Sequence, residues 1–235
     1  MDTHLHHDHT EYHLKSSDLL RDVVIGMSDG LTVPFALAAG LSGAVDSTNI
    51  IVIAGIAEIA AGSIAMGLGG YLAGKTEQDH YTSELKREYY EVDNLREREI
   101  EETKEFFKTI GLSEKLQNKA TEEIAKDKKQ WVEFMMKYEL GLEKPDPKRA
   151  TKSALNIGLS YVVGGLVPLS PYFFIDTPLQ ALSLSLVVTL LCLFVFGWFK
   201  SKITGVHPWW GAIRVTMIGA AAAAAAFGVA KLFEG

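Results

Sequence analysis

The stretch 50-IIVIAGIAEIAAGSIAMGLGGYLAGKTEQDHYTSELKREYYEVDN-94 decides how the chain is read. Its first half, Ile50–Ala73, is apolar or small throughout, with one charge, Glu58. A helix of about 20 such residues crosses a bilayer. From Lys75 onward charge becomes dense, yet nothing breaks the helical pattern before about Lys108. The sequence therefore predicts one long helix that spans a membrane and continues beyond it, stopped by Gly111.

Four more segments fit a span: Val23–Val45 with only Asp29 charged, Ser153–Ile175 and Thr177–Phe199 with no charge, and Trp209–Ala230 with only Arg214. Charge is segregated to match. Between Lys75 and Arg149 lie 19 of the 29 acids and 16 of the 23 bases. The fold class expected is an all-α membrane protein of five spans. A three-helix cytosolic metal-binding domain is inserted between the second and third. Its helices run from Lys75 to about Lys108, over 113–127 with Ser113 as N-cap, and over 128–140 stopped by Gly141. The domain plan is a His-rich tail over 1–20, spans one and two over 21–74, the insert over 75–150, and spans three to five over 151–235.

Bases near span ends collect on one side: Lys15, Arg21, Lys75, Lys148, Arg149, Lys152, Lys200, Lys202 and Arg214. The opposite loops hold Asp46 and Asp176 and no base, and the tail there has only Lys231. By the positive-inside rule the N-terminus and insert are cytosolic and the C-terminus is on the far side. The N-terminus has no basic start or small-residue cleavage site, so the first span is expected to be an uncleaved anchor. The single cysteine, Cys192, excludes an intrachain disulfide. A net charge of -6 with bases and acids interleaved gives no footprint for nucleic acid.

Carboxylates inside spans are costly and mark ion pathways by default. Asp29 and Glu58 are such residues, with no intramembrane lysine to neutralise them. Met66, two turns beyond Glu58, adds a soft thioether that would favour transition metals. In the insert, Glu88, Glu91, Glu99 and Glu102 fall in a stripe roughly 80° wide if the helix is unbroken, as two pairs roughly 16 Å apart. Like charges so placed repel. A solvated face laced with ion pairs is the plain alternative, but Lys86, Arg87, Arg96 and Arg98 project mostly off the line. The segment 131-WVEFMMKYELG-141 puts Met135 and Met136 on one helical face with Glu139. Opposite the stripe, these would complete oxygen sites with sulfur nearby, suited to divalent metals.

Together, 26-GMSDGLTVPFALAAGLSGA-44 and 57-AEIAAGSIAMGLGGYLAGKTEQDHY-81 closely resemble the vacuolar iron transporter family, in its plant form, and the resemblance covers essentially the whole chain. It implies a homodimer in the vacuolar membrane that moves Fe2+ from cytosol to vacuole against protons, with no catalytic cofactor. It places Asp29, Glu58 and Met66 in the transport pathway, between the first spans of two subunits. It makes Glu88, Glu91, Glu99, Glu102, Glu139, Met135 and Met136 the cytosolic metal ligands. Zn2+, Co2+, Ni2+ and Mn2+ are further candidate cargoes. The residues also leave open a passive divalent-cation channel, a membrane scaffold, and a di-iron carboxylate oxidase, the last from the one Glu-x-x-His element, Glu77–His80. The stretch 4-HLHHDHTEYH-13 reads as a tail with loose metal affinity.

Overall fold

The computed structural model describes Asp18–Phe233, so the histidine-rich stretch 4–13 lies outside the described residues. The helices are α1 (Asp18–Ser42), α2 (Thr48–Asn94), α3 (Arg96–Thr109), α4 (Glu114–Ile124), α5 (Lys128–Phe134), α6 (Arg149–Leu169), α7 (Pro178–Ile203) and α8 (Pro208–Phe233). A π-helical turn, Met135–Glu139, continues α5, and a 3-10 turn, Ser170–Phe173, ends α6. No strand occurs among the described residues. Five helices (α1, α2, α6 with its 3-10 turn, α7 and α8) are long and apolar enough to cross a membrane. Their outward residues include Ile53, Ile64, Val187, Leu191 and Ile218, all exposed. In water this would be a very large apolar surface, whereas hydrocarbon matches it.

The chain divides into two compact units, one of Met1–Gly70 with Lys152–Gly235 and the other of Tyr71–Thr151. In the first, α6 packs between α1 and α2. Side chains would hold these helices apart, so glycine stands at the closest approaches. A methyl group on Gly26 or Gly30 of α1 would meet the backbone oxygens of Ile157 or Tyr161 on α6. On the α2 side, a methyl on Gly62 would meet the ring of Tyr161, and one on Gly67 the backbone of Ala154. The other side of α1 packs against α7 and α8, with Phe35, Ala39 and Ala223 buried together. Pro34 lies inside α1, which continues unbroken to Ser42.

The second unit departs from expectation in its first helix. α2 does not run on to Lys108; it stops at Asn94, Leu95 leaves helical geometry (φ -126°, ψ 32°), and α3 starts at Arg96. The three expected helices are therefore four: the end of α2, then α3, α4 and α5 with its π turn. Two local bonds finish the α2 end, Leu95 N–H to the Glu91 carbonyl and the Asn94 amide to the Tyr90 carbonyl. Asparagine competes for backbone in this way and favours helix ends. Gly111 and Gly141 follow α3 and the π turn with positive φ, as a helix stop requires. Ser113 occupies the N-cap of α4, but its side chain makes no capping bond, whereas Asp127 caps α5 by accepting from Lys129 and Gln130.

The close approach of α1 to α6 can be tested. Gly30→Ala forces a Cβ onto the Tyr161 backbone, an overpacking worth about 1–3 kcal/mol. The detergent-solubilised variant should melt several degrees lower. Gly228→Ala, where a Cβ meets nothing within 4 Å, should not lower the melting temperature. Equal melting of Gly30→Ala and the parent protein would refute this packing.

Candidate metal centre

The corner at Leu95 changes what the four glutamates can do. On an unbroken helix the Cα atoms of Glu88 and Glu99 would be roughly 16 Å apart, beyond mutual reach of their carboxylates. With the corner, Glu88, Glu91 and Glu99 bring one carboxylate oxygen each to within 4.8 Å of one another. The expectation of two pairs stacked along one helix is thus corrected to one converging group.

The group has an inner and an outer part. Glu91 accepts from Arg87 Nε at 3.1 Å and Glu102 accepts from Arg98 Nε at 2.9 Å. Two bases therefore reach the stripe, contrary to the reading that they project off it. Glu88 and Glu99 are 4% and 1% exposed, and Glu88 Oε2 and both Glu99 oxygens are buried without a hydrogen-bond partner. Buried acceptors without donors are rare and expensive. Their carboxyls are pushed up to about 7. For Glu88 the cause is burial, then the charges of Glu99, Glu139, Glu91 and Glu102. For Glu99 it is burial, then Glu102, Glu91 and Glu139, with Arg98 opposing. Glu139 is raised by partial desolvation first and by Glu102 and Glu91 second. It is otherwise exposed, so solvent screens that shift. Glu102 and Glu139 thus act on the group electrostatically but stand outside its tight cluster.

Such an arrangement is stable only if something stiffer holds it, and that is the apolar cluster of Val92, Ala125, Trp131, Val132, Met135 and Met136. Trp131 is fully buried and donates Nε1–H to Thr103 Oγ1 on α3 at 2.8 Å. Arg96, the first residue past the corner, stacks 4.9 Å over the Trp131 ring and donates to the Ala125 carbonyl. Lys128 of α5 reaches back to Asp93, just before the corner, at 2.6 Å. Met135 and Met136 are 1% exposed. Their sulfurs were expected opposite the stripe. The described contact of Met135 Sδ is with Thr103 Oγ1, at 3.3 Å, and Met136 lies in the apolar cluster. The π turn that carries both is a local insertion of the kind common at functional sites.

In the first unit Tyr161 contacts α1 beside Asp29 and bonds Glu58 on α2. Its backbone lies against Gly30, next to Asp29, its ring against Gly62, and its hydroxyl donates to Glu58 Oε1 in a short hydrogen bond. Glu58 Oε2 is buried with no partner. Met66 is half-buried on α2, and no described contact joins it to either acid. His80 is exposed and lies 3.9 Å from Glu84, apart from the glutamate group.

Four residues escaped the sequence reading. Asp22, only 1% exposed, accepts from Ser153 Oγ at 3.1 Å and Asn156 Nδ2 at 3.3 Å. It precedes the apolar run that opens at Val23, though its seven-residue spacing from Asp29 puts both on one helical face. Tyr161 was legible only as one of several uncharged polar groups in its span. Thr103 and Trp131 gave no signal beyond ordinary helix composition.

A family profile described as the VIT family matches residues 20–231. The chain is 54% identical to "Vacuolar iron transporter 1" of Tulipa gesneriana over 227 residues, 97% of this chain and 92% of that protein. It is 50% identical to "Vacuolar iron transporter 1" of Arabidopsis thaliana over 226 residues, 96% and 90% of the two chains. It is 40% identical to "Protein CCC1" of Saccharomyces cerevisiae over 193 residues, 79% and 58%.

The raised carboxyls set a pH dependence. With Glu88 and Glu99 at about 7 against an ordinary 4.5, the folded chain holds protons that the unfolded chain has released between those values. The stability of the metal-free protein therefore falls as pH rises across that window. A divalent cation needs the deprotonated groups, so its affinity moves the opposite way. Zn2+ should bind the purified protein on the order of tenfold or more tighter at pH 7.5 than at pH 5.5, releasing protons as it does. Equal affinity and no proton release would contradict the buried-carboxylate arrangement.

Proposed function

The chain belongs to the VIT family, and on that footing we propose that it is a vacuolar-membrane transporter carrying Fe2+ from the cytosol into the vacuole in exchange for protons. The observation that carries the metal half of this reading is the meeting of Glu88, Glu91 and Glu99, with Glu88 Oε2 and both Glu99 oxygens buried without a hydrogen-bond partner. Such a group fits a divalent cation better than it fits solvent or the apolar core. The insert faces the cytosol and gathers metal there. Glu88, Glu91, Glu99, Glu102 and Glu139 supply oxygens, and Met135 and Met136 supply sulfur. Support for that sidedness is the collection of Arg21, Lys75, Lys148, Arg149, Lys152, Lys200, Lys202 and Arg214 at one set of span ends.

Asp29, Glu58 and Met66 line the passage through the membrane. The Tyr161 hydroxyl occupies one oxygen of Glu58 and leaves the other available. That oxygen can hold a proton or contact a metal, and the two compete, which is the elementary requirement for exchange. In an acidic lumen the carboxylates take up protons and release the metal. The protons leave on the cytosolic side when the passage reopens. The protein works as a homodimer. In support, Ala57, Ala61, Ala65 and Gly69 repeat every four residues on an exposed face of α2, the small-residue pattern that lets spans approach. Mn2+, Co2+, Ni2+ and Zn2+ fit the same donor set.

Fe2+ uptake into proteoliposomes with an acidic interior tests the coupling. Glu58→Gln should cut gradient-driven uptake by roughly tenfold or more, since it removes the exchangeable proton, and should flatten its pH dependence. Uptake indifferent to the gradient in the parent protein would instead identify a passive channel.

A further inference from the structure

The Thr103 hydroxyl is completely buried and takes part in three contacts with a single proton. The indole N–H of Trp131 can only donate, so Thr103 accepts there, at 2.8 Å. Its own proton then has two acceptors, the Glu99 carbonyl at 2.7 Å and Met135 Sδ at 3.3 Å. Glu99 is one turn before Thr103 on α3, and Glu139 is four residues after Met135 on the π turn. The Thr103–Met135 contact thus joins the turn of α3 that follows Glu99 to the turn that precedes Glu139.

We infer that Thr103 is a positioning residue for Met135, whose thioether orientation it fixes and whose contribution to binding soft divalent metals it thereby sets. The inference rests on the proposed role of Met135 as a metal ligand. Methionine has three rotatable bonds and adapts to whatever surrounds it. Among Trp131, Val132 and Val92 an unheld sulfur has many apolar places to rest. A hydrogen bond to one lone pair removes that freedom and leaves the other lone pair directed. When a metal claims the sulfur, the hydroxyl proton turns to the Glu99 carbonyl, so no buried donor is stranded. Trp131 keeps the hydroxyl oxygen in place throughout, because its N–H occupies a lone pair that neither arrangement uses. The result is a sulfur held ready and released without loss of a hydrogen bond. A hard cation that binds oxygen alone is indifferent to this device.

The test compares Cd2+ and Mn2+ affinity of the full-length protein in detergent, each measured by competition with a chromophoric chelator. Thr103→Val keeps the shape and removes the hydroxyl. It should weaken Cd2+ binding roughly tenfold, the lower end for a lost supporting hydrogen bond, and Mn2+ binding less than threefold. Thr103→Ala, which adds no volume, should shift the ratio the same way if the valine variant misfolds. Thr103→Ser should stay within threefold of the parent for both metals. Equal losses for the two metals, or no loss for either, would overturn the inference, since a general structural defect cannot move the ratio. Met135→Leu separates the two levels of the argument. If it weakens Cd2+ while the Thr103 variants do not, Thr103 has no positioning role and Met135 remains a ligand. If Met135→Leu leaves Cd2+ binding unchanged, the ligand role fails and the inference fails with it.

Discussion

The burial of Trp131 in the apolar cluster beside the corner at Leu95 holds together what the charges would push apart. The insert places Glu88 and Glu99 in near-complete burial, close to three more carboxylates, with arginine hydrogen bonds only to Glu91 and Glu102. Left to electrostatics, the corner at Leu95 would open. It stays closed because Trp131 is fully buried against both sides of it, with Arg96 stacked on the ring and Lys128 bridging back to Asp93. Burying a large aromatic is worth several kcal/mol, enough to outweigh repulsion that protonation near pH 7 already softens. The apolar cluster and the acidic group are thus two halves of one construction. One supplies the energy that the other uses.

The membrane unit solves a related problem with different means. Carboxylates there cannot be surrounded by bulk water, so the partners they have come from the helices themselves. Asp22 is held by Ser153 and Asn156, and Glu58 by Tyr161, so α6 provides the polar partners for acids on both α1 and α2. The glycines are what make this possible. Without the close approach at Gly30 and Gly62, the Tyr161 ring could not sit between the two helices and reach Glu58.

The five long helices were readable from the sequence because apolar length is a direct physical requirement of spanning, and the charged insert stood out by contrast. The acidic residues of the candidate metal centre were readable by type and spacing. Their geometry was not. Nothing local to 92-VDNLRER-98 announces a corner: no proline, no glycine, and only Asn94 as a weak helix terminator. The break is imposed by tertiary burial of Trp131 and Met135, whose partners are about 30 residues away in sequence. The same limit hid Thr103 and Tyr161, since a hydroxyl in a helix is ordinary until its neighbour is known. Asp22 was passed over because hydropathy places a span boundary at the nearest charge, whereas the helix begins at Asp18.

The glycine contacts between α1 and α6 carry one more consequence. Where backbone touches backbone there are no rotamers to rearrange, so neither helix can slide or roll on the other without breaking the fit at Gly26 and Gly30 together. The pair is mechanically one strut. Any conformational cycle of the membrane unit must spare this joint and find its freedom elsewhere. Softer joints exist where α2 meets α6 through the Tyr161 side chain, which torsions can adjust, and on the small-residue face of α2 that this chain leaves uncovered.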